Sequence, residues 1–149
     1  MNRNRALEIA RAVGARFAAD DQAAKTLGVV YEEVRPGYAR LALTVEKHMT
    51  NGHEICHGGV IFTLADTAFA CACNSYNRAA VAVGCAIEFL APGRIGDRLT
   101  ADVREQALAG RAGVYDVTVT NQNNQTIALF RGKSRRIEGR VIAELEEIK

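Results

Sequence analysis

The chain has no tryptophan, and its aromatic complement is five Phe and four Tyr. Single-stranded nucleic acid is bound largely by base stacking on aromatic side chains, so that role is disfavoured. A strong charge of either sign is also missing: 19 Lys+Arg stand against 17 Asp+Glu, a net charge of +2. Nucleic-acid binders are usually more basic, so no nucleic-acid partner is expected, and any cationic site must come from local clustering. No stretch approaches the ~18 apolar residues that a membrane span needs. The opening MNRNRALEIA is charged and carries no apolar run of signal-peptide length. The expectation is a cytoplasmic protein with no membrane partner and with reduced cysteines.

Metal-binding patterns are absent too. Cys56, Cys71, Cys73 and Cys85 match no zinc-ribbon or thioredoxin spacing. His53, Cys56, His57, Cys71 and Cys73 can be imagined as a cluster. However, Cys71 and Cys73 are two apart, which on a helix sets them on nearly opposite sides. No metal or other cofactor is expected, and Cys71, Cys73 and Cys85 read as small buried hydrophobes.

What is present is an ordinary globular composition. The 149 residues suit one domain with a single core, spanning 1–149. An N-terminal helical segment is assigned to residues 1–25. Within it, residues 4 to about 19 place Leu7, Ala10, Val13, Gly14 and Phe17 at helical spacing. Gly28 is a turn or stop residue. Residues 29–34 and 38–46 read as strands around the turn Arg35-Pro36-Gly37, with Ala39, Leu41, Leu43 and Val45 forming the apolar face of the second.

A polar loop, 47–57, precedes residues 58–74, GGVIFTLADTAFACACN. That segment is too long for one strand, rich in Ala and Leu, and apolar nearly all round, so it predicts a buried helix. Strands follow at 80–90, 97–108, 113–120 and 126–137. Alternation is carried by Leu99, Ala101, Val103 and Ala107, and then by Tyr115, Val117 and Val119. Residues 138–149 are a polar tail, read as a short helix or a frayed end. The class is α+β, a buried helix beside a long antiparallel sheet.

Four features carry chemistry. Asp66 sits among Leu64, Ala65, Ala68 and Phe69. A carboxylate there is costly unless paired, so it is either catalytic, or it reaches a boundary, or it is held by Thr63, Thr67 or a loop amide. His57-Gly58-Gly59 opens the helix, where unpaired N–H groups suit an anion or a carbonyl oxygen gaining charge; a tight turn is the structural alternative.

Asn51 can hold a water or carbonyl, or can simply make an Asn-Gly turn with Gly52. His57 can act as acid or base, but more often such a residue orients a loop; His48 and His53 carry no decisive signal. Arg131, Lys133 and Arg135 share one strand face. They suit phosphates, or else serve as a charged guard on an edge strand. Asp66 lies eight residues after Gly58, about 12 Å along a helix, so one copy of the helix cannot bring both to one reacting centre. If both act, two copies of the chain share the site.

Residues 51–74, NGHEICHGGVIFTLADTAFACACN, form a pattern with AVAVGCAIEFLAPG at 80–93, GVYD at 113–116 and ALFRGKS at 128–134. Over roughly residues 20–137 this resembles the hotdog-fold acyl-CoA thioesterases, and closely their phenylacetate-degradation branch. The resemblance implies a long central helix wrapped by a curved antiparallel sheet, here with an extra N-terminal helix. It implies a homodimer whose sheets join and whose active sites are shared, usually paired again as a homotetramer.

By the same resemblance, Asp66 matches the catalytic nucleophile or general base, and Gly58 the amide that polarises the thioester carbonyl. Asn51 matches a residue that positions water or substrate, and His57 the histidine that supports the loop. Gly59, Arg131, Lys133 and Arg135 are candidates for contacting substrate and CoA. The implied substrate is a phenylacetyl-type acyl-CoA, including hydroxylated or ring-modified relatives. The sequence departs from some relatives in one respect. They place Ser or Thr near the start of the strand after the helix, and Val81-Ala82-Val83-Gly84 offers no hydroxyl. The fold also serves hydratases, dehydratases and non-catalytic acyl-CoA-binding regulators or carriers.

Overall fold

A computed structural model describes all 149 residues. Two helices open the chain, α1 (Arg3–Asp20) and α2 (Gln22–Thr26). The N-terminal segment therefore divides at Asp21, whose side chain caps α2 by accepting from Ala24 N at 2.9 Å. α1 buries Ile9, Ala10, Val13 and Gly14, while Leu7 and Phe17 are only half-buried. Gly14 permits a close approach: a Cβ there would stand 2.7 Å from Val34 Cγ2 on the neighbouring strand.

The strands are β1 (Val30–Arg35), β2 (Tyr38–Thr44), β3 (Ala80–Phe89), β4 (Arg98–Ala109), β5 (Ala112–Thr120) and β6 (Thr126–Arg136). They form one sheet in the order β1-β2-β4-β5-β6-β3, antiparallel throughout. Helix α3 (Gly58–Asn74) runs across its inner face. This is the hotdog architecture. The predicted helix bounds are met at both ends, because His57 caps one end and Ser75 turns the chain at the other.

The core lies between α3 and the sheet. Leu64, Ala65, Ala68, Phe69 and Ala72 are buried there against Leu41, Leu43, Leu99, Val103, Tyr115, Val117 and Phe130. Phe69 meets Tyr115 and Phe130 at ring-centroid distances of 5.6 and 5.9 Å. One α3 stripe escapes burial: Gly59, Phe62, Thr63, Asp66 and Ala70 are half-buried or exposed. The stripe recurs at helical spacing, so it is a single face of α3, and it adjoins the sheet edge at β3.

Two sequence expectations fail here. Ala107 is exposed because a bulge between Glu105 and Ala107 breaks the alternation of β4. Cys85 is exposed rather than buried, because β3 is the last strand of the sheet. That edge is apolar. Val81, Val83 and Phe89 are 45%, 54% and 52% exposed, where an edge strand is normally guarded by charge.

The C-terminal tail is neither helix nor frayed end. Buried Asn77, at φ 58°, donates through Nδ2 to the carbonyls of Ile142, Leu145 and Glu146 and accepts from Ile142 N. Ile148 is buried, with its N–H donating to Tyr76 O at 2.9 Å.

Candidate active site

The loop before α3 is shaped by Asn51. Its Oδ1 accepts from His53 N at 2.9 Å, and its backbone pairs with Ile55 O. The Asn-Gly turn expected from sequence is therefore real, and it uses only the carbonyl of the Asn51 side chain. The amide Nδ2 donates to no protein group and lies beside a recess of about 490 Å³. Asn51, Ile55, Gly58, Ile61, Phe89 and Leu90 are among the residues lining it.

At the helix start the N–H groups divide their partners unequally. His57 Nδ1 accepts from Gly59 N at 2.9 Å, and His57 O accepts from Val60 and Ile61. The His57 side chain thus caps the helix, and the Gly59 N–H is already engaged. The Gly58 N–H donates to nothing in the chain. It is the one open amide at the positive end of a 17-residue helix. Gly58 also packs closely, since a Cβ there would lie 3.0 Å from Phe89 Cζ.

Asp66 lies further along, and helix spacing keeps it about 12 Å from Gly58. It does not line the Gly58 recess. Asp66 does reach a half-buried boundary, but the hydrogen bonds that would hold it there are not made. Thr63 Oγ1 donates to Gly59 O at 2.8 Å and Thr67 Oγ1 to Thr63 O at 2.7 Å, so both hydroxyls serve the helix backbone. Asp66 is half-buried and accepts no hydrogen bond. Burial raises its carboxyl above the usual range, and the charge of Asp21 raises it further. Sequence gave no hint of Asp21, which reaches this region only because α1 and α2 fold back against α3.

Opposite Asp66 lies Cys85. It pairs with Gly132 on β6, whose missing Cβ makes room for Phe69 of α3, so Cys85 shares the inner face. Its thiol is raised by burial and then by the charge of Asp66. The first strand after α3 therefore offers a thiol near Asp66, although Val81–Gly84 offers no hydroxyl. Phe89, Leu90, Ile55 and Ile61 were likewise not singled out from sequence. Their only signal is apolar character, at the end of a strand for Phe89 and Leu90, in the loop for Ile55 and on the helix for Ile61.

The basic row stands elsewhere. Arg131, Lys133 and Arg135 share the outer face of β6, as their alternation predicts. Arg131 is held by Asp116 on β5, donating through Nε at 2.6 Å and Nη2 at 2.8 Å. The pair lowers the Asp116 carboxyl and leaves Arg131 with little free charge. Lys133 and Arg135 make no ion pair and are exposed.

The geometry combines an open helix-N-terminal amide with an unpartnered, half-buried carboxylate, and similarity to known proteins follows the same lines. The sequence signature of the thioesterase superfamily matches residues 53–128, which includes Gly58 and Asp66. The acyl-coenzyme A thioesterase PaaI of Escherichia coli K12 is 50% identical over 125 residues, covering 84% of this chain and 89% of the relative. A putative esterase of Archaeoglobus fulgidus is 37% identical over 105 residues, covering 70% of this chain and 68% of the relative.

Among solved structures, the E. coli PaaI protein from the phenylacetic acid degradation operon superposes with a TM-score of 0.88 at 46% identity, covering 90% of this chain and 97% of that one. A Streptococcus mutans protein bound to acetyl CoA superposes with a TM-score of 0.73 at 29% identity, covering 75% of this chain and 90% of that one. The open amide and free carboxylate thus stand on a chain that belongs to the thioesterase superfamily.

Proposed function

We propose that this chain hydrolyses acyl-CoA thioesters to the free acid and CoA, with Asp66 as nucleophile or general base. The observation that carries the reading is Asp66 itself, a half-buried carboxylate that no hydrogen bond occupies. The thioester carbonyl oxygen sits on the Gly58 N–H, whose donor direction and helix dipole stabilise negative charge as the carbonyl is attacked. Asp66 attacks the carbonyl carbon, or takes a proton from the water that does. The C–S bond breaks, a C–O bond from water replaces it, and the CoA sulfur leaves with a proton. Asn51 Nδ2 is free to hold substrate or water, and the His57 cap fixes the loop that presents Gly58. Lys133, Arg135 and, where Asp116 releases it, Arg131 face the CoA phosphates, and Gly59 offers close backbone approach.

The two groups meet across a homodimer built on β3. Along α3, Gly58 and Asp66 are about 12 Å apart. Along β3, Phe89 contacts Gly58 and Cys85 faces Asp66; the four residue steps between Cys85 and Phe89 span about 13 Å. Helix and strand therefore keep step. A two-fold axis near Phe62 and Ile87 lays Gly58 of one copy opposite Asp66 of the other, and buries the apolar edge of β3. A second pairing of dimers gives the homotetramer.

The acyl group we assign is phenylacetyl or a hydroxylated relative. Its support is the 50% identity to PaaI and the structural likeness to the protein of the phenylacetic acid degradation operon. Four unpaired thiols suit the reducing cytoplasm. The test is thiol release from phenylacetyl-CoA by the parent and by Asp66→Asn, which keeps volume and removes charge. A variant as fast as the parent would sink the reading. CoA thioester binding by the parent without thiol release would favour a carrier instead.

A further inference from the structure

We propose a second polar site, at the end of the sheet opposite Gly58, that binds a phosphate group. Beyond the C-terminus of α3, a recess of about 60 Å³ opens between the β4–β5 hairpin and the adjoining ends of β6 and β3. It is too small for an aryl-acyl group, yet it has room for a tetrahedral oxyanion and water. Arg78, Arg111, Arg136 and Ser134 line it.

The charge there is not internally balanced. Arg78 faces Glu147 at 3.3 Å, but its Nε is out of solvent without an aligned hydrogen bond. Arg111 and Arg136 are exposed and make no ion pair. The negative end of α3 lies nearby and attracts cations, which accounts for part of the clustering. It does not account for Ser134. That residue is 4% exposed, and its hydroxyl is engaged by no protein group. The hydroxyl is not sealed off: it keeps a small opening on the wall of the recess, so its free hydrogen-bonding capacity is available to a ligand there. Gly113 keeps the space open. A Cβ there would lie 2.7 Å from Ser134 Oγ and 2.8 Å from Tyr115 Cε2. Guanidinium groups beside a hydroxyl donor match a phosphate oxyanion, which accepts from both.

The phosphate comes either from solution or from the phosphorylated end of CoA. Calorimetric titration at constant ionic strength with inorganic phosphate, CoA and dephospho-CoA reads both sources. Phosphate is expected to bind the parent saturably. Binding weakens about tenfold or more in Arg111→Ala/Arg136→Ala, where charge-assisted contacts are lost, and severalfold in Ser134→Ala. If the parent prefers CoA over dephospho-CoA and the double variant loses that preference, the site reads the CoA phosphate. If the preference is untouched while phosphate binding falls, the site takes free phosphate.

Circular dichroism confirms that each variant is folded. Should the double variant unfold, Ser134→Ala alone decides, because it removes one oxygen atom. No saturable phosphate binding, or equal affinity in the parent and the folded variants, overturns the proposal. These readouts need no catalysis, so they stand or fall apart from thioester hydrolysis.

Discussion

Gly58→Ala is the substitution that best separates catalysis from folding. Gly58 lies outside the positive-φ region, so alanine is allowed by the backbone. The new Cβ would meet Phe89 at 3.0 Å from Cζ, 3.3 Å from Cε1 and 3.5 Å from Cε2. Comfortable carbon contacts begin near 3.5 Å, so ring or helix start must yield by about half an ångström. Alanine gains up to about 1 kcal/mol in helix propensity, and mild overpacking costs about as much, so stability should change by less than about 1 kcal/mol.

Catalysis has no such compensation. Loss of one oxyanion donor costs about 10²–10³ in kcat, and a partial displacement should cost about ten- to a hundredfold. The assay is thiol release, with kcat and KM resolved. The fall should lie mainly in kcat, because in the proposed mechanism the Gly58 amide acts on charge that develops in the transition state. Removing the obstacle gives the decisive comparison. In a Phe89→Ala background, Gly58→Ala should cost severalfold less than it does alone. Unchanged kcat in Gly58→Ala, or the same loss in both backgrounds, refutes the assignment of Gly58 as donor.

Asp66 predicts a pH dependence. Its carboxyl is raised by burial and by Asp21, and in the proposed mechanism only the ionised form attacks or accepts a proton, so kcat/KM should fall as pH drops through that raised value. Asp21→Asn removes a like charge and should move this acid limb to lower pH; an unmoved limb counts against the coupling. The linked stability effect has the opposite sense to a salt-bridged acid. The folded chain holds the Asp66 proton more tightly than the unfolded chain, so ionised Asp66 destabilises the fold above its raised pKa. Asp66→Asn should be more stable than the parent at neutral pH in urea melts, with the gain vanishing below the ordinary carboxylate range. Val83→Lys places a charge on the 54% exposed edge of β3 and should shift the chain to monomer in sedimentation while abolishing thiol release. Activity retained by a proven monomer would remove the shared site. Asn77→Ala breaks four part-buried hydrogen bonds to the tail and costs about 2–4 kcal/mol. A change under about 0.5 kcal/mol would mean that solvent replaces the clasp.

Much of the local structure was legible because its signals are local. The helix at 58–74 follows from its length, its Ala and Leu content and its apolar surround. The strand faces of β2 and β5 follow from period-two alternation. Where the reading failed, a non-local cause intervened. The bulge at Glu105 sent Ala107 outward. The place of β3 at the end of the sheet exposed Cys85, although an apolar strand reads the same in the centre or at the edge. The tail looked helical or frayed because its anchor, Asn77, lies 65 residues from Ile142.

By itself, the sequence determined that Asp66 stands on an apolar helix eight residues after Gly58. That spacing already excluded a site built from one copy of α3, since helix rise is fixed by backbone geometry. The tertiary structure decided what surrounds those residues. It engaged Thr63 and Thr67 with the helix backbone, so that Asp66 is unpartnered. It gave the Gly59 amide to His57 and left that of Gly58 open. It folded Asp21 towards Asp66, tied Arg131 to Asp116 and gathered Arg78, Arg111 and Arg136 around Ser134. Each outcome depends on which distant segments meet, and alternation and periodicity report only on neighbours along the chain.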